Sequence, residues 1–215
     1  MSKATIIILG MHRSGTSLTS ALCQSVGLDI GKNLIGATFS NPIGHFENND
    51  FVILHDRILF SLKKSWCNLP EQEALDKAFL SFINEIKEVI DKNKSNFWGW
   101  KDPRNSLFFH LYINHGLVEN PKLIICWRNP YAVASSLFRR DGFSLERGFR
   151  LAFEYYQRII TNLKSIKNSE KVPVLHIQYE DYFIDPEKNL LKISDFLDVA
   201  ELPNKNLIQR KYKHC

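Results

Sequence analysis

The segment Gly10-Met11-His12-Arg13-Ser14-Gly15-Thr16-Ser17 follows the apolar run Thr5-Ile6-Ile7-Ile8-Leu9. Its spacing, G-x-x-x-x-G-x-[ST], is that of a phosphate-binding loop, whose backbone N–H groups at a helix N-terminus cradle phosphate oxygens. The Lys that ordinarily precedes the last Ser/Thr is replaced by Thr16, and the basic group is Arg13, inside the loop. A nucleotide kinase needs that Lys for the β- and γ-phosphates and a strand-end Asp for Mg²⁺. The 122–127 strand carries no Asp. The expected ligand is therefore an anion other than a metal-bound triphosphate. The plainer reading is a ligand-free strand-to-helix turn, where Gly and Ser/Thr are common anyway.

Three further groups of residues could do chemistry. In Trp127-Arg128-Asn129-Pro130, Arg128 closes a buried strand and Pro130 suits the first position of a helix that carries Ser136. Arg and Ser so placed converge on one phosphate if the helix runs back past it; otherwise the Arg pairs with a carboxylate and the Ser faces solvent. In Trp98-Gly99-Trp100-Lys101-Asp102-Pro103-Arg104, Lys101 ends a strand and Asp102-Pro103 forms a turn with Asp102 capping the next helix. A solvated strand-end lysine is the alternative. In Asn41-Pro42-Ile43-Gly44-His45-Phe46-Glu47, Glu47 is either a catalytic base or a residue that complements the following helix dipole.

The elements that must position these groups alternate. Strands are expected at 4–9, 96–101, 122–127 and 172–177, and helices at 15–27, 48–63, 71–92, 105–116, 130–139, 145–167 and 186–198. Strand followed by helix is the pattern of a parallel sheet covered on both faces, an α/β fold with three layers. Ligands of such sheets bind at the carboxyl ends of the strands, where every motif above falls. Residues 28–46 have no clear period and read as a long loop of the kind that carries function.

Bulk properties narrow the class. The chain has 215 residues, 44% of them hydrophobic and 24% charged, enough for one buried core, read as one domain over 1–215. The net charge of +5 is spread along the chain except for Arg210, Lys211 and Lys213. That fits a compact polyanion better than duplex nucleic acid, which asks for a dense basic stripe or a reading motif. No apolar run reaches membrane-spanning length, and Met1-Ser2-Lys3-Ala4 leads into a strand without a signal-peptide pattern, so a cytoplasmic protein is expected. Cys23, Cys67, Cys126 and Cys215 lie far apart and read as reduced thiols, with neither a zinc site nor a disulfide framework.

Taken in order, these motifs resemble the sulfotransferases that use 3′-phosphoadenosine 5′-phosphosulfate (PAPS), over most of the chain. The likeness is to the bacterial and tyrosyl-protein branch, and it implies a P-loop-type fold. Arg13, Ser14, Gly15, Thr16 and Ser17 match the segment that binds the 5′-phosphosulfate. Arg128 and Ser136 match the pair, eight positions apart, that binds the 3′-phosphate. Lys101 matches a lysine that neutralises the bridging oxygen, and Glu47 the carboxylate base. Gln178-Tyr179-Glu180-Asp181-Tyr182, followed by Asp185-Pro186, is similar to a late segment whose first Tyr contacts adenine, which implicates Tyr179. The resemblance implies PAPS as co-substrate, 3′,5′-ADP as product and no metal.

The chain departs from the family in places. Small-molecule members carry a His two residues after the strand-end Lys, where this chain has Pro103; a common aromatic after the loop is Leu18. Arg210-Lys211-Tyr212 echoes a basic C-terminal element that helps hold the 3′-phosphate. His45 is a reserve base, and His12 either touches the sulfate or packs. Phe143, Phe149, Phe153, Tyr155 and Tyr156 either line an acceptor pocket or belong to the core. A sugar hydroxyl, a phenol or a peptidyl tyrosine are all open as acceptors. A P-loop nucleotide kinase and a non-catalytic nucleotide-binding protein on the same fold are the competing readings.

Overall fold

The computed structural model describes residues 4–38 and 44–208. Asn41, Pro42 and Ile43, the basic tail with Arg210, Lys211, Tyr212 and Lys213, and Cys215 lie outside them. Four strands, β1 (Thr5–Gly10), β2 (Trp98–Lys101), β3 (Pro121–Trp127) and β4 (Val174–Gln178), form one sheet in the order β2-β1-β3-β4. Every pairing is parallel, with Ile8 level with Lys101, Gly10 with Cys126, and Trp127 with Gln178. The chain leaves β1 towards one edge and β3 towards the other. The carboxyl ends of β1 and β3 therefore flank the crevice at which the winding reverses.

Strand alternation divides the core into two layers. Ile7, Leu9, Trp98, Trp100, Leu123 and Ile125 face one side of the sheet. That side is covered by α2 (Asn49–Ser61), α3 (Gln72–Ser81), α4 (Ile83–Asn93), α5 (Asn105–Asn114), α6 (Pro130–Asp141) and α7 (Leu145–Lys164). Ile6, Ile8, Ile124, Cys126 and Ile177 face the other side, under α1 (Thr16–Gln24), the short α8 (Asp181–Ile184) and α9 (Pro186–Leu197). The near-continuous apolar runs of β1 and β3 are what a parallel strand buried on both faces requires.

The expected elements are present with shifted ends, and the span 71–92 is a correction. It holds two helices, because Phe82 leaves helical geometry (φ −99°, ψ 11°) and its N–H bonds Phe79 O. The Ser81 hydroxyl takes the Ala78 carbonyl at 2.7 Å, a side-chain bond that competes with the helix ladder. The span 28–46 is also less irregular than its composition. Ile35 N–H bonds Glu47 O at 2.8 Å and Asn49 N–H bonds Asn33 O at 2.7 Å, a short antiparallel pairing immediately before α2. Cys23 and Cys126 are buried, Cys67 is half-buried, and all three are free thiols.

β2 owes its place to a missing side chain. Trp98 and Trp100 both point into the first layer, with Trp100 stacked on Phe51 at 4.4 Å. Between them, a Cβ on Gly99 would lie 2.1 Å from the Ile6 carbonyl oxygen. Backbone cannot yield as a side chain tip can, so Gly99→Ala is expected to destabilise the fold by about 1–3 kcal/mol. Urea unfolding of both proteins measures it, and an unchanged midpoint contradicts the close approach.

Candidate active site

The loop between β1 and α1 is held open by its neighbours. Arg13 has a left-handed backbone (φ 69°), and Gly15, at φ 91°, caps α1 with no side chain to offer. The first-turn amides of α1 are thus the orphan donors that a helix N-terminus presents to an anion. Arg128, directly after β3, donates from Nη1 to the Arg13 carbonyl at 2.8 Å, and Arg13 Nε donates to Ser136 Oγ at 2.8 Å. The Arg128 guanidinium lies over the Tyr179 ring at 4.5 Å. The same ring also fills the space of a Gly15 side chain, whose Cβ would come 2.1 Å from Tyr179 Cδ2. Gly15 is required both by its backbone angle and by this contact.

Arg128 and Ser136 are buried, so the solvent-facing Ser of the alternative reading does not apply. Ser136 reaches back because α6 begins at Pro130, with the Asn129 side chain accepting the Tyr131 N–H at 2.9 Å. Tyr156 fixes the backbone of Arg128 twice. Its hydroxyl accepts from Arg128 N–H at 3.1 Å and donates to Arg128 O at 2.7 Å. Burial pushes the Tyr156 phenol up to about 12 and lowers the Arg128 pKa from its usual value.

At the end of β2, Lys101 is 1% exposed, so it is not a solvated lysine. Its Nζ donates to Glu47 Oε1 at 2.7 Å and to Ser17 Oγ at 3.2 Å. Ser17 Oγ in turn donates to the His45 carbonyl at 3.0 Å. The pairing of 33–35 with 47–49 brings Glu47 there, and the helix cap is its neighbour: Asn48 accepts the Asp50 N–H at 3.0 Å. The side chain that caps α2 is therefore that of Asn48 and not that of Glu47. His45 Nε2 lies 2.9 Å from Thr38 Oγ1, and burial lowers its pKa despite nearby Glu47.

Behind Lys101 lies a network that the sequence does not announce. Asp102, fully buried, accepts from Arg104 N–H and Arg104 Nη1, both at 2.9 Å, and meets His55 Nδ1 at 2.8 Å. His55 Nε2 reaches Tyr112 OH at 2.9 Å, and Arg104 Nε lies 2.8 Å from Asp56 Oδ1. Burial alone would raise Asp102; the Arg104 guanidinium and the His55 bond hold it well below the carboxylate range. Asp102 thus closes the turn before α5, where the N-cap position is that of Arg104 rather than its own, and locks the turn that aims Lys101.

His12 packs on Trp66 with tilted rings at 4.4 Å and meets Tyr155 edge-on at 6.1 Å. Its Nε2 and Ser14 Oγ are both buried and find no hydrogen-bond partner among the described residues. Burial, then Arg104 and Arg140, keep His12 well below the usual imidazole pKa. Of the aromatic group at 143–156, Tyr155 is core, Phe143 is half-buried, and Phe149 and Phe153 are exposed.

The candidate residues thus form two strings joined through the loop. One runs Glu47, Lys101, Ser17; the other Ser136, Arg13, Arg128, Tyr179, Gly15, with buried Thr16 between them. The set offers three basic groups and helix N-terminal amides for a multiply charged anion, with a carboxylate beside it to accept a proton. Among the described residues no cluster of three or more His, Cys, Asp or Glu is placed to hold a metal, and no helix is long and apolar enough to cross a membrane.

Comparison with known proteins bears on the fold and the family. The sulfotransferase domain of the Synechococcus PCC 7002 olefin synthase is similar in structure, with a TM-score of 0.56 and 21% identity over 96% of this chain and 76% of that one. The sulfotransferase domain of the curacin biosynthetic pathway gives 0.52 at 17% identity, over 97% and 77%. A sulfotransferase from Alicyclobacillus acidocaldarius gives 0.53 at 18%, over 99% and 89%. At these identities the likeness is one of fold. No curated protein sequence matches the chain. The profile of the sulfotransferase family matches residues 5–203, nearly the whole described chain, and the protein belongs to that family.

Proposed function

We propose that the protein moves a sulfuryl group from PAPS to a hydroxyl of its acceptor. The observation that carries this reading is Lys101, buried at a strand end between Glu47 and the Ser17 of the loop. A phosphate loop with Thr16 in place of Lys, beside a β3 that ends Cys126-Trp127, lacks the parts a kinase uses for Mg-triphosphate. Burying a lysine and a carboxylate together is costly against well-packed apolar residues, which favours a working site over a fold kept for binding alone.

PAPS, when bound, supplies the activated sulfuryl group. Arg13, Ser14, Gly15, Thr16 and Ser17 hold the 5′-phosphosulfate, through backbone N–H groups, hydroxyls and the Arg13 side chain. Arg128 and Ser136 hold the 3′-phosphate, and Tyr179 supports the nucleotide beside them. Glu47 takes the proton of the attacking hydroxyl, while Lys101 and Arg13 offset the charge that develops on the oxygens of the departing 3′,5′-ADP. These cations do the work that Mg²⁺ does in phosphoryl transfer, so the reading needs no metal.

Thermal shift with 3′,5′-ADP tests the donor. At about 100 times its Kd the ligand should add roughly 2.7 kcal/mol of stability without metal, and Mg-ATP should add little. Preference for Mg-ATP would favour the kinase reading instead. Arg128→Ala should weaken 3′,5′-ADP binding far more than 5′-AMP binding. Loss of the Arg13 carbonyl clamp alone would weaken both equally, so equal losses remove Arg128 from the 3′-phosphate. Glu47→Gln cannot accept a proton and should slow sulfuryl transfer by roughly 10² to 10⁴ without weakening 3′,5′-ADP binding. Turnover is followed by radiolabelled sulfate uptake from PAPS, after a panel of sugars, phenols and tyrosine-containing peptides has given a working acceptor. Wild-type turnover in the Gln variant moves the base elsewhere.

A further inference from the structure

One cluster beside the loop has no part in holding the donor. Trp66, half-buried in the segment after α2, is held by Tyr155, whose hydroxyl donates to its carbonyl at 2.9 Å. The Trp66 ring lies tilted against His12 at 4.4 Å and stacks on Phe143 at 5.8 Å. Arg140 lies 5.5 Å from the Trp66 ring centroid and Arg147 lies 3.9 Å from that of Phe143. The result is a ladder of rings and guanidinium groups, from the exposed start of α7 inward to the phosphate loop. His12 itself belongs to the loop that leads to Ser17, so the inner end of the ladder meets the segment that carries the Ser17, Lys101 and Glu47 string.

The chemistry of the ladder selects among acceptors. A bare aryl ring wants a dry slot with free ring faces. Here the faces are engaged by other rings and by guanidinium groups. A stacked guanidinium group can still offer N–H donors at its edge, in a fork matched to carboxylate and to paired oxygens. Arg140 gives its Nε and Nη2 to Asp141, which leaves Nη1 for a ligand. His12 Nε2 adds a hydrogen-bonding position that no described residue takes. The stretch 139–150 carries four arginines against two carboxylates, and Arg140 shares part of its charge with Asp141 at 2.8 Å. The surplus is positive.

We propose that this ladder is the acceptor wall, and that it takes an acidic carbohydrate, a hydroxyl-bearing sugar with a carboxylate, read by Arg140, Arg147 and His12. The proposal rests on the sulfotransferase reading and adds the acceptor class to it.

Calorimetric titration of the protein saturated with 3′,5′-ADP tests it. The probes are a disaccharide ending in glucuronic acid, its counterpart ending in glucose, p-nitrophenol, and a tyrosine-containing peptide. The acidic sugar should bind roughly tenfold or more tightly than the neutral one, the discrimination that a charge-assisted hydrogen bond supplies. Arg147→Gln, at an exposed site where folding is not at risk, should shrink that ratio, and Arg140→Gln should shrink it further. Equal affinities, no binding of either sugar, or tighter binding of p-nitrophenol or the peptide overturns the proposal. So does a ratio that neither variant changes. Failure of 3′,5′-ADP itself to stabilise the protein counts against the sulfotransferase reading instead. The same titration on the free protein then still decides the sugar preference.

Discussion

Burial of positive charge at the ends of parallel strands is the constraint on which this structure rests. Lys101 and Arg128 sit at the carboxyl ends of the two strands that border β1, and Arg104 follows one turn later. Each has had to find compensation within the fold. Lys101 has Glu47, Arg104 has Asp102 and Asp56, and Arg128 has the Arg13 carbonyl and the face of Tyr179. The conformation of the phosphate loop follows from the last of these. Arg13 keeps a left-handed backbone because Arg128 grips its carbonyl and Ser136 its side chain. Tyr179, wedged against Gly15, closes the loop from below.

What could be read from the chain beforehand was what lies close in sequence. The loop, Lys101, and the Arg128 and Ser136 pair each consist of a strand end and the turn or helix after it, and local rules place them. The parallel sheet was legible for the same reason, since β1 and β3 are apolar on both faces. Glu47 was ambiguous because position before a helix serves a cap and a base equally well. Only the pairing with 33–35 and the cap at Asn48 separate the two. Tyr156 on Arg128, Asn105 on the Ile8 carbonyl and His55 on Asp102 join residues 28, 97 and 47 positions apart. No periodicity encodes such contacts. Trp66 was invisible for a further reason, because a tryptophan between two helices gives no sign of which layer it enters.

The three described thiols differ in a way that bears on how the protein can be handled. A thiol reacts as its thiolate, and burial pushes Cys126 up to about 12 and raises Cys23 as well. Both are sealed inside the layer beneath α1 and α9. Cys67 alone of the three reaches solvent, beside Trp66 and with Arg147 Nη2 3.9 Å from its sulfur. An alkylating dye or spin label offered to the folded chain therefore has one described sulfur to modify, and it stands at the rim of the aromatic ladder rather than in the core.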